Sequence, residues 1–201
     1  MPRVRYVPVQ DSTRVRDVRV AAEAAAAGAG LDERRTAAVS LVATELATNL
    51  VKHAHGGQVV IEVVDAAVPR EPAARSVQIT AIDHGPGMAD VAGAMRDGFS
   101  TTGSLGAGLG TCRRLSDDFG LHSVRGRGTV AVARIAGAAP AAGVSPGPGV
   151  RAGGVNIPFA AAEESGDDWA WVRSGDLYTL MLADGLGHGA AACLASAAAV
   201  S

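Results

Sequence analysis

Apolar and polar residues alternate through Arg3–Val9 (RVRYVPV), a period of two that predicts a short strand. The period then changes. Val15, Val18, Ala22 and Ala25 recur at helical spacing, predicting a helix over Thr13–Ala27 that Asp11 caps and Gly28-Ala29-Gly30 ends. Asp32 opens a second helix, Glu33–His55, with Leu41, Val42, Leu46 and Leu50 on its apolar side and Gly56-Gly57 as its stop. QVVIEVVD (58–65) and SVQITAID (76–83) read as strands joined by a proline-containing loop. Residues 84–110 are glycine-rich, with a short helix near 89–96, and TCRRLSDDFG (111–120) reads as a helix. LHSVR and TVAVARI then form a hairpin that turns at Gly126–Gly128.

Residues 137–154 are an Ala/Gly/Pro tract with nothing to bury, so they read as a linker between a domain over 1–136 and a tail over 155–201. The tail holds three strand-like pieces, VNIPF, DWAWVRSG and LYTLMLAD, followed by an alanine-rich helix. No internal repeat emerges.

The chain has 201 residues and a formal charge of −2, which suits one domain or two small ones. Aromatics are only 3%, so the core must be aliphatic. Charge is uneven: 17 basic against 14 acidic residues over 1–153, but 1 against 6 over 154–201. Neither segment has the basic excess of a nucleic-acid or membrane-surface binder. Cys112 and Cys193 are far apart and lack metal-ligand spacing, which predicts free thiols in a reducing compartment. The N-terminus has no apolar signal core and no apolar run approaches 18 residues, so the expected location is the cytoplasm.

Candidate chemistry lies in four places. In TELATNLVKHA, Glu45, Asn49, Lys52 and His53 stand at i, i+4, i+7 and i+8, which puts them on one helix face. Such a face suits a carboxylate that takes a hydroxyl proton, an amide oxygen for magnesium and cationic groups beside phosphate; it also fits an ordinary solvated helix. Lys52 is the only lysine among 18 basic residues. In DHGPGM (83–88), Asp83 leaves a strand where it can accept from an exocyclic amine, and Gly85 and Gly87 let the backbone approach a flat ring. STTGSLGAGLGTC (100–112) ends its glycines at a helix start, where backbone N–H groups can cradle phosphate. It is not a Walker A loop, because no Lys-Ser/Thr follows the glycines. GRGT (126–129) is a tight turn carrying a hydroxyl.

The order and spacing of these four resemble the GHKL-type ATPase/kinase domain. ELATNLVKH corresponds to the N-box, DHGPG to the adenine box, GSLGAGLG to the lid and GT to the last element. DGFSTTGSLGAGLGTCRRLSDDF is most similar to the RsbT-like serine kinases of bacterial stress signalling. The resemblance implies an α/β (α+β) two-layer sandwich of the Bergerat type, with a mixed, mostly antiparallel sheet covered by helices on one face. It further implies ATP and Mg²⁺, with Glu45 as general base and Asn49 as magnesium ligand. Asp83 would bond the adenine amine, with Thr129 nearby, and Gly85 and Gly87 would give the ring room. Gly106, Gly108 and Gly110 would hold phosphates through the lid, and Lys52 and His53 would lie near the phosphates. The implied acceptor is a serine on a STAS-domain anti-sigma antagonist or scaffold protein. An ATP-dependent binder of a sigma factor or partner phosphatase uses the same pocket, as does a simple ATPase. No histidine stands in a dimerisation helix, which disfavours a two-component histidine kinase.

SGDDWAWVRSGDLYTLMLADGLGHGAAA resembles the opening of SpoIIE/RsbX-type metal-dependent phosphatases. The resemblance implies Asp167 (or its neighbour Asp168) and Asp184 as ligands of Mn²⁺ or Mg²⁺, helped by the Gly185 carbonyl. Strand alternation lets only one of Asp167 and Asp168 face the ions. The further acidic ligands of that family are missing, so 155–201 is expected to be an N-terminal fragment or remnant of such a domain.

Overall fold

A computed structural model describes residues 4–65, 75–95, 108–137, 156, 164–174 and 177–200. Contacts divide the chain into two units, Met1–Ala142 and Gly143–Ser201.

The first unit begins with β1 (Val4–Val9), α1 (Thr13–Ala29), α2 (Glu33–Ala54), β2 (Gly57–Asp65) and β3 (Arg75–Asp83). It continues with α3 (Val91–Ala94), α4 (Leu109–Leu115), β4 (Asp118–Val124) and β5 (Gly128–Ala136). The strands form one sheet in the order β1-β2-β3-β5-β4, and every pairing among the described residues is antiparallel. Pro8 is tolerated because β1 is an edge strand, where a missing N–H need not break a ladder.

Side chains alternate across β3. Val77, Ile79 and Ala81 are buried, while Ser76, Gln78, Thr80 and Ile82 are half-buried. The buried set joins Val18, Ala22 and Ala26 of α1 and Val39, Val42, Ala43, Leu46 and Leu50 of α2 in one aliphatic core. On the other face, Arg134 donates to Gln78, which donates to Glu62. Burial pushes the Glu62 carboxyl up, and the Arg134 charge pulls it back.

Local signals explain the helices, with three corrections. The Asp32 side chain caps α2 by accepting from the Arg35 N–H at 2.7 Å. For α1, by contrast, the N-cap position falls to Ser12, whose side chain makes no capping bond; Asp11 instead accepts from the Thr13 N–H at 2.8 Å. The left-handed residue that ends α2 is His55 (φ 59°) and not a glycine, with Gly56 N–H closing onto the Leu50 carbonyl at 2.9 Å. Leu41 is 40% exposed, because it lies about 200° around the helix from buried Val39.

The helix expected over 111–120 stops at Leu115, and β4 starts at Asp118. Long-range bonds override the local pattern here. The Asp117 carboxylate accepts from the Arg35 guanidinium and from the Ala136 N–H (2.8 Å), and Asp117 N–H donates to the Arg134 carbonyl at 2.9 Å. Arg35 also donates through Nε to the Ala136 carbonyl at 2.7 Å. The start of α2, the end of β5 and the entry to β4 are thereby tied together. Asp117→Ala is expected to cost about 1 kcal/mol of unfolding free energy, since it takes the acceptor from the Arg35 guanidinium, whose side chain is 20% exposed, and from the Ala136 N–H. Urea unfolding checks this, and a loss under about 0.5 kcal/mol would mark the network as solvated surface.

The second unit contains β6 (Asp168–Ser174), β7 (Leu177–Ala183) and α5 (Ala190–Val200). The strands pair antiparallel, and Trp171 stacks on Tyr178 with centroids 6.1 Å apart. The strand-like piece at 155–159 lies outside the described residues apart from Asn156, and the tract at 138–154 lies wholly outside them. Among the described residues no helix is long and apolar enough to cross a membrane. Both cysteines are free.

Candidate nucleotide site

One turn of α2 after another delivers Glu45, Asn49, Lys52 and His53 to a single cavity of about 320 Å³ between the helix layer and the β3/β5 strands. That volume falls within the range of small-ligand sites. The first-turn Glu33 and last-turn Lys52 and His53 complement the helix dipole, so the cationic end of α2 also faces the cavity. Asp83 and Thr129 line it from the sheet, and Gly87 and Met88 from the loop after β3.

The sheet register builds the floor. Asp83 pairs with Thr129, and Thr129 pairs with Ser123. Asp83 Oδ1 accepts from the Gly85 N–H at 2.8 Å and from the Thr129 N–H at 3.2 Å. With one oxygen engaged by two backbone donors, the second oxygen remains to take a ligand donor. Gly85 does not line the cavity; a Cβ there would lie 2.7 Å from Ala54 Cα, so its glycine lets the loop lie against the end of α2. Gly87 has φ +65°, and a Cβ there would collide with the Val124 carbonyl of β4.

Glu45 and the Asp83 loop lie at opposite ends of this groove. From Glu45 to Ala54, which touches Gly85, α2 runs about 13 Å at 1.5 Å per residue. Between them, Leu46, Leu50, Ala81, Met88, Leu121 and Ala131 supply an apolar wall that suits a flat ring. None of these six was expected at the site: Leu46 and Leu50 were placed on the apolar side of α2, away from its polar face, yet they line the cavity. Strand alternation puts Phe119, Leu121 and Ser123 on one side of β4; of these only Phe119 fell within the helix expected through 120.

Burial raises the Glu45 carboxyl above its ordinary value of 4.5, and the Lys52 charge partly offsets this. The Cys112 thiol beside it is pushed up to about 12, first by burial and then by the Glu45 charge, so it stays an inert thiol. If Glu45 accepts a proton during turnover, activity falls as pH drops through its pKa, and this acid limb lies above pH 4.5. Lys52→Met removes the positive charge that lowers that pKa, so the limb is expected to move to higher pH. A pH–rate profile checks it; an unmoved or lower limb would detach Lys52 from Glu45.

Two of the three glycines expected to form a lid lie among the described residues. Gly108 lines the cavity as the N-cap of α4, whereas Gly110 is buried in the first turn of α4 and does not line it. Gly106 lies outside the described residues. The Asn49 amide oxygen lines the cavity, a neutral oxygen donor that fits a hard divalent cation.

In the second unit Asp168 pairs with Ala183, which sets Asp167 and Asp184 opposite each other at the open end of the hairpin. Asp167 Oδ1 accepts from the Gly185 N–H at 3.3 Å, while Asp168 Oδ1 accepts from the adjacent Trp169 N–H at 2.8 Å. Asp167 and Asp184 are exposed, and among the described residues no three His, Cys, Asp or Glu side chains form a group able to hold a metal.

Residues 9–135 match the family described as histidine kinase-like ATPase domain. The serine/threonine-protein kinase RsbT of Bacillus subtilis (strain 168) is 43% identical over 93 residues, an alignment that covers 46% of this chain and 66% of that relative. The family match over residues 9–135 spans both layers and all the α2, β3 and β5 residues that meet in the cavity. The chain belongs to the histidine kinase-like ATPase domain family.

Proposed function

We propose that the first unit is an ATP-dependent protein serine kinase that phosphorylates a STAS-domain regulator in a bacterial sigma-factor partner switch. The observation that carries this reading is the single groove lined by both Asp83 and Glu45, in which Ala54, beside the loop after Asp83, stands about 13 Å along α2 from Glu45. The resemblance to a serine/threonine kinase adds the acceptor class.

Each residue then has one task. Asp83 accepts from the base amine, and the apolar wall excludes water from the ring. Asn49 would hold Mg²⁺, which when bound neutralises phosphate charge. Lys52, in the last turn of α2, puts a positive charge into the groove beside His53, and Gly108 offers its backbone at the start of α4, where Gly110 is buried within the helix and does not reach the groove. Glu45 takes the proton of the acceptor serine. Phosphoryl transfer needs mainly positioning and charge neutralisation, which this set supplies.

Incubation with Mg-ATP and a panel of STAS-domain proteins tests the proposal. Phosphoserine on one of them, located by mass spectrometry, is expected. Tight ATP binding with no transfer to any would favour the ATP-dependent binder, an anti-sigma factor or phosphatase activator.

For the second unit we propose that Asp167 and Asp184, with the Gly185 carbonyl, form the first part of the Mn²⁺ or Mg²⁺ site of a SpoIIE/RsbX-type phosphatase. The Asp167–Gly185 bond supports Asp167 over Asp168 as the ligand. Two exposed carboxylates hold Mn²⁺ weakly, so calorimetry is expected to give millimolar affinity that Asp184→Ala removes. Metal-dependent hydrolysis of a phosphoserine substrate by this chain would overturn the view of the site as incomplete.

A further inference from the structure

Three segments meet at the Asp83 end of the groove: the end of α2, the loop after β3 and the β4–β5 turn. A Cβ on Gly85 would lie 2.7 Å from Ala54 Cα, one on Gly87 would lie 3.1 Å from the Arg125 N, and one on Gly128 would lie 2.8 Å from His84 Cα. Bonds lock this junction. Gly126 N–H donates to the Pro86 carbonyl at 2.8 Å, Arg127 N–H to the Val124 carbonyl at 2.9 Å, and Met88 N–H to Ser123 Oγ at 2.8 Å.

The junction carries His55, His84, Arg125 and Arg127, all exposed and none of them lining the cavity. Among the described residues, none of these four side chains makes an ion pair or a hydrogen bond. Pro86 and Val124 are exposed beside them, Val124 by 39%. Two acids bound the patch. Asp11 follows Gln10, whose Cα would lie 3.5 Å from a Cβ on Gly56, and Asp90 stands two residues after Met88. Each accepts from a backbone N–H, of Thr13 and Gly93 respectively, at 2.8 Å. A guanidinium fork matches a carboxylate with two parallel bonds, and the apolar pair suits a neighbouring aliphatic side chain. The bordering acids and the small basic excess of 17 against 14 over 1–153 oppose an extended polyanion such as a nucleic acid or an anionic membrane. What fits is a short acidic stretch of a protein.

We propose that this rim docks the acceptor protein, seating a segment that carries Asp or Glu beside an apolar residue on Arg125, Arg127 and the Pro86–Val124 pair. This rests on the protein-kinase reading above. The rim adjoins Ala54, about 13 Å along α2 from Glu45, so one small folded domain can touch the rim and present a serine at Glu45. Docking there raises the local concentration of the acceptor without entering the transfer step. The turn backbone is already held by its own bonds, so little of it has to be ordered on binding.

Steady-state transfer by the intact chain to the STAS-domain protein that accepts phosphate in the panel above tests this. Arg125→Glu combined with Arg127→Glu is expected to raise KM for that protein about 30-fold, with kcat and Mg-ADP affinity within about twofold of wild type. Arg125→Lys combined with Arg127→Lys is expected to raise KM no more than about threefold, because the charge stays. Added salt is expected to raise the wild-type KM and to leave that of the charge-reversed variant nearly unchanged. An unchanged KM after charge reversal would overturn the inference. So would an equal loss of Mg-ADP affinity, which would assign the arginines to the nucleotide, or a fall in kcat alone. Binding of a single-stranded oligonucleotide or of phosphatidylserine vesicles that charge reversal abolishes, with the acceptor KM unmoved, would overturn it as well. If Mg-ADP binds but no STAS-domain protein is phosphorylated, the kinase reading fails and this inference with it; transfer that ignores the rim charge sinks the inference alone.

Discussion

Glu45→Ala is expected to lower phosphotransfer about 10²–10⁴-fold while leaving Mg-ATP affinity within a few-fold of wild type. Glu45 lies on the cavity wall at the end of the groove remote from Asp83, so a nucleotide base does not depend on it. Burial holds its carboxyl above the usual value, which makes it a better proton acceptor than a free glutamate. Removing it takes away the base without touching the purine floor. Glu45→Gln keeps the volume and serves as the control for packing against α4. The sign of its stability effect follows from the same shift. A raised pKa means the folded state favours the protonated acid, so ionisation erodes stability as pH rises above about 4.5. Glu45→Gln is therefore not expected to destabilise the protein at pH 7. Single-turnover transfer and calorimetry measure the two quantities separately. A protein that only binds partners would keep its partner effect in Glu45→Ala.

Asp83→Asn is expected to weaken nucleotide binding about 100-fold with the fold intact. The asparagine oxygen can still accept from the Gly85 and Thr129 N–H groups, so the loop keeps its shape. The other side-chain atom becomes an amide donor facing the base amine. A charged acceptor is lost and two donors are opposed, which costs about 2–3 kcal/mol. Thermal unfolding without nucleotide should match wild type, and the stabilisation that ATP adds should nearly vanish. Undiminished ATP affinity would remove Asp83 from the base site.

Much of this was legible because the signals are local. Strand alternation placed β2 and β3, and Asp32 marked the start of α2. Helical spacing was enough to put Glu45, Asn49, Lys52 and His53 on one face, and all four line the cavity. What was not legible depends on contacts far apart in sequence. Nothing near Asp117 announces that Arg35 and Ala136 will hold it, and without that knowledge 111–120 looks like one helix. The pairing of β4 with β5 was legible as the LHSVR–TVAVARI hairpin, but not that Leu121 would line the cavity. Leu41 looked apolar and therefore buried, yet its angular position points it outward. Gly110 looked like a loop glycine, but the helix it was thought to precede begins a residue before it.

A crystal structure with bound Mg-ADP tests the central claim most directly. The account predicts the purine amine within hydrogen-bond distance of Asp83 Oδ2 and the phosphates running along α2 past Asn49 toward Glu45. A nucleotide bound elsewhere, or bound here with its base at the Glu45 end, would contradict it.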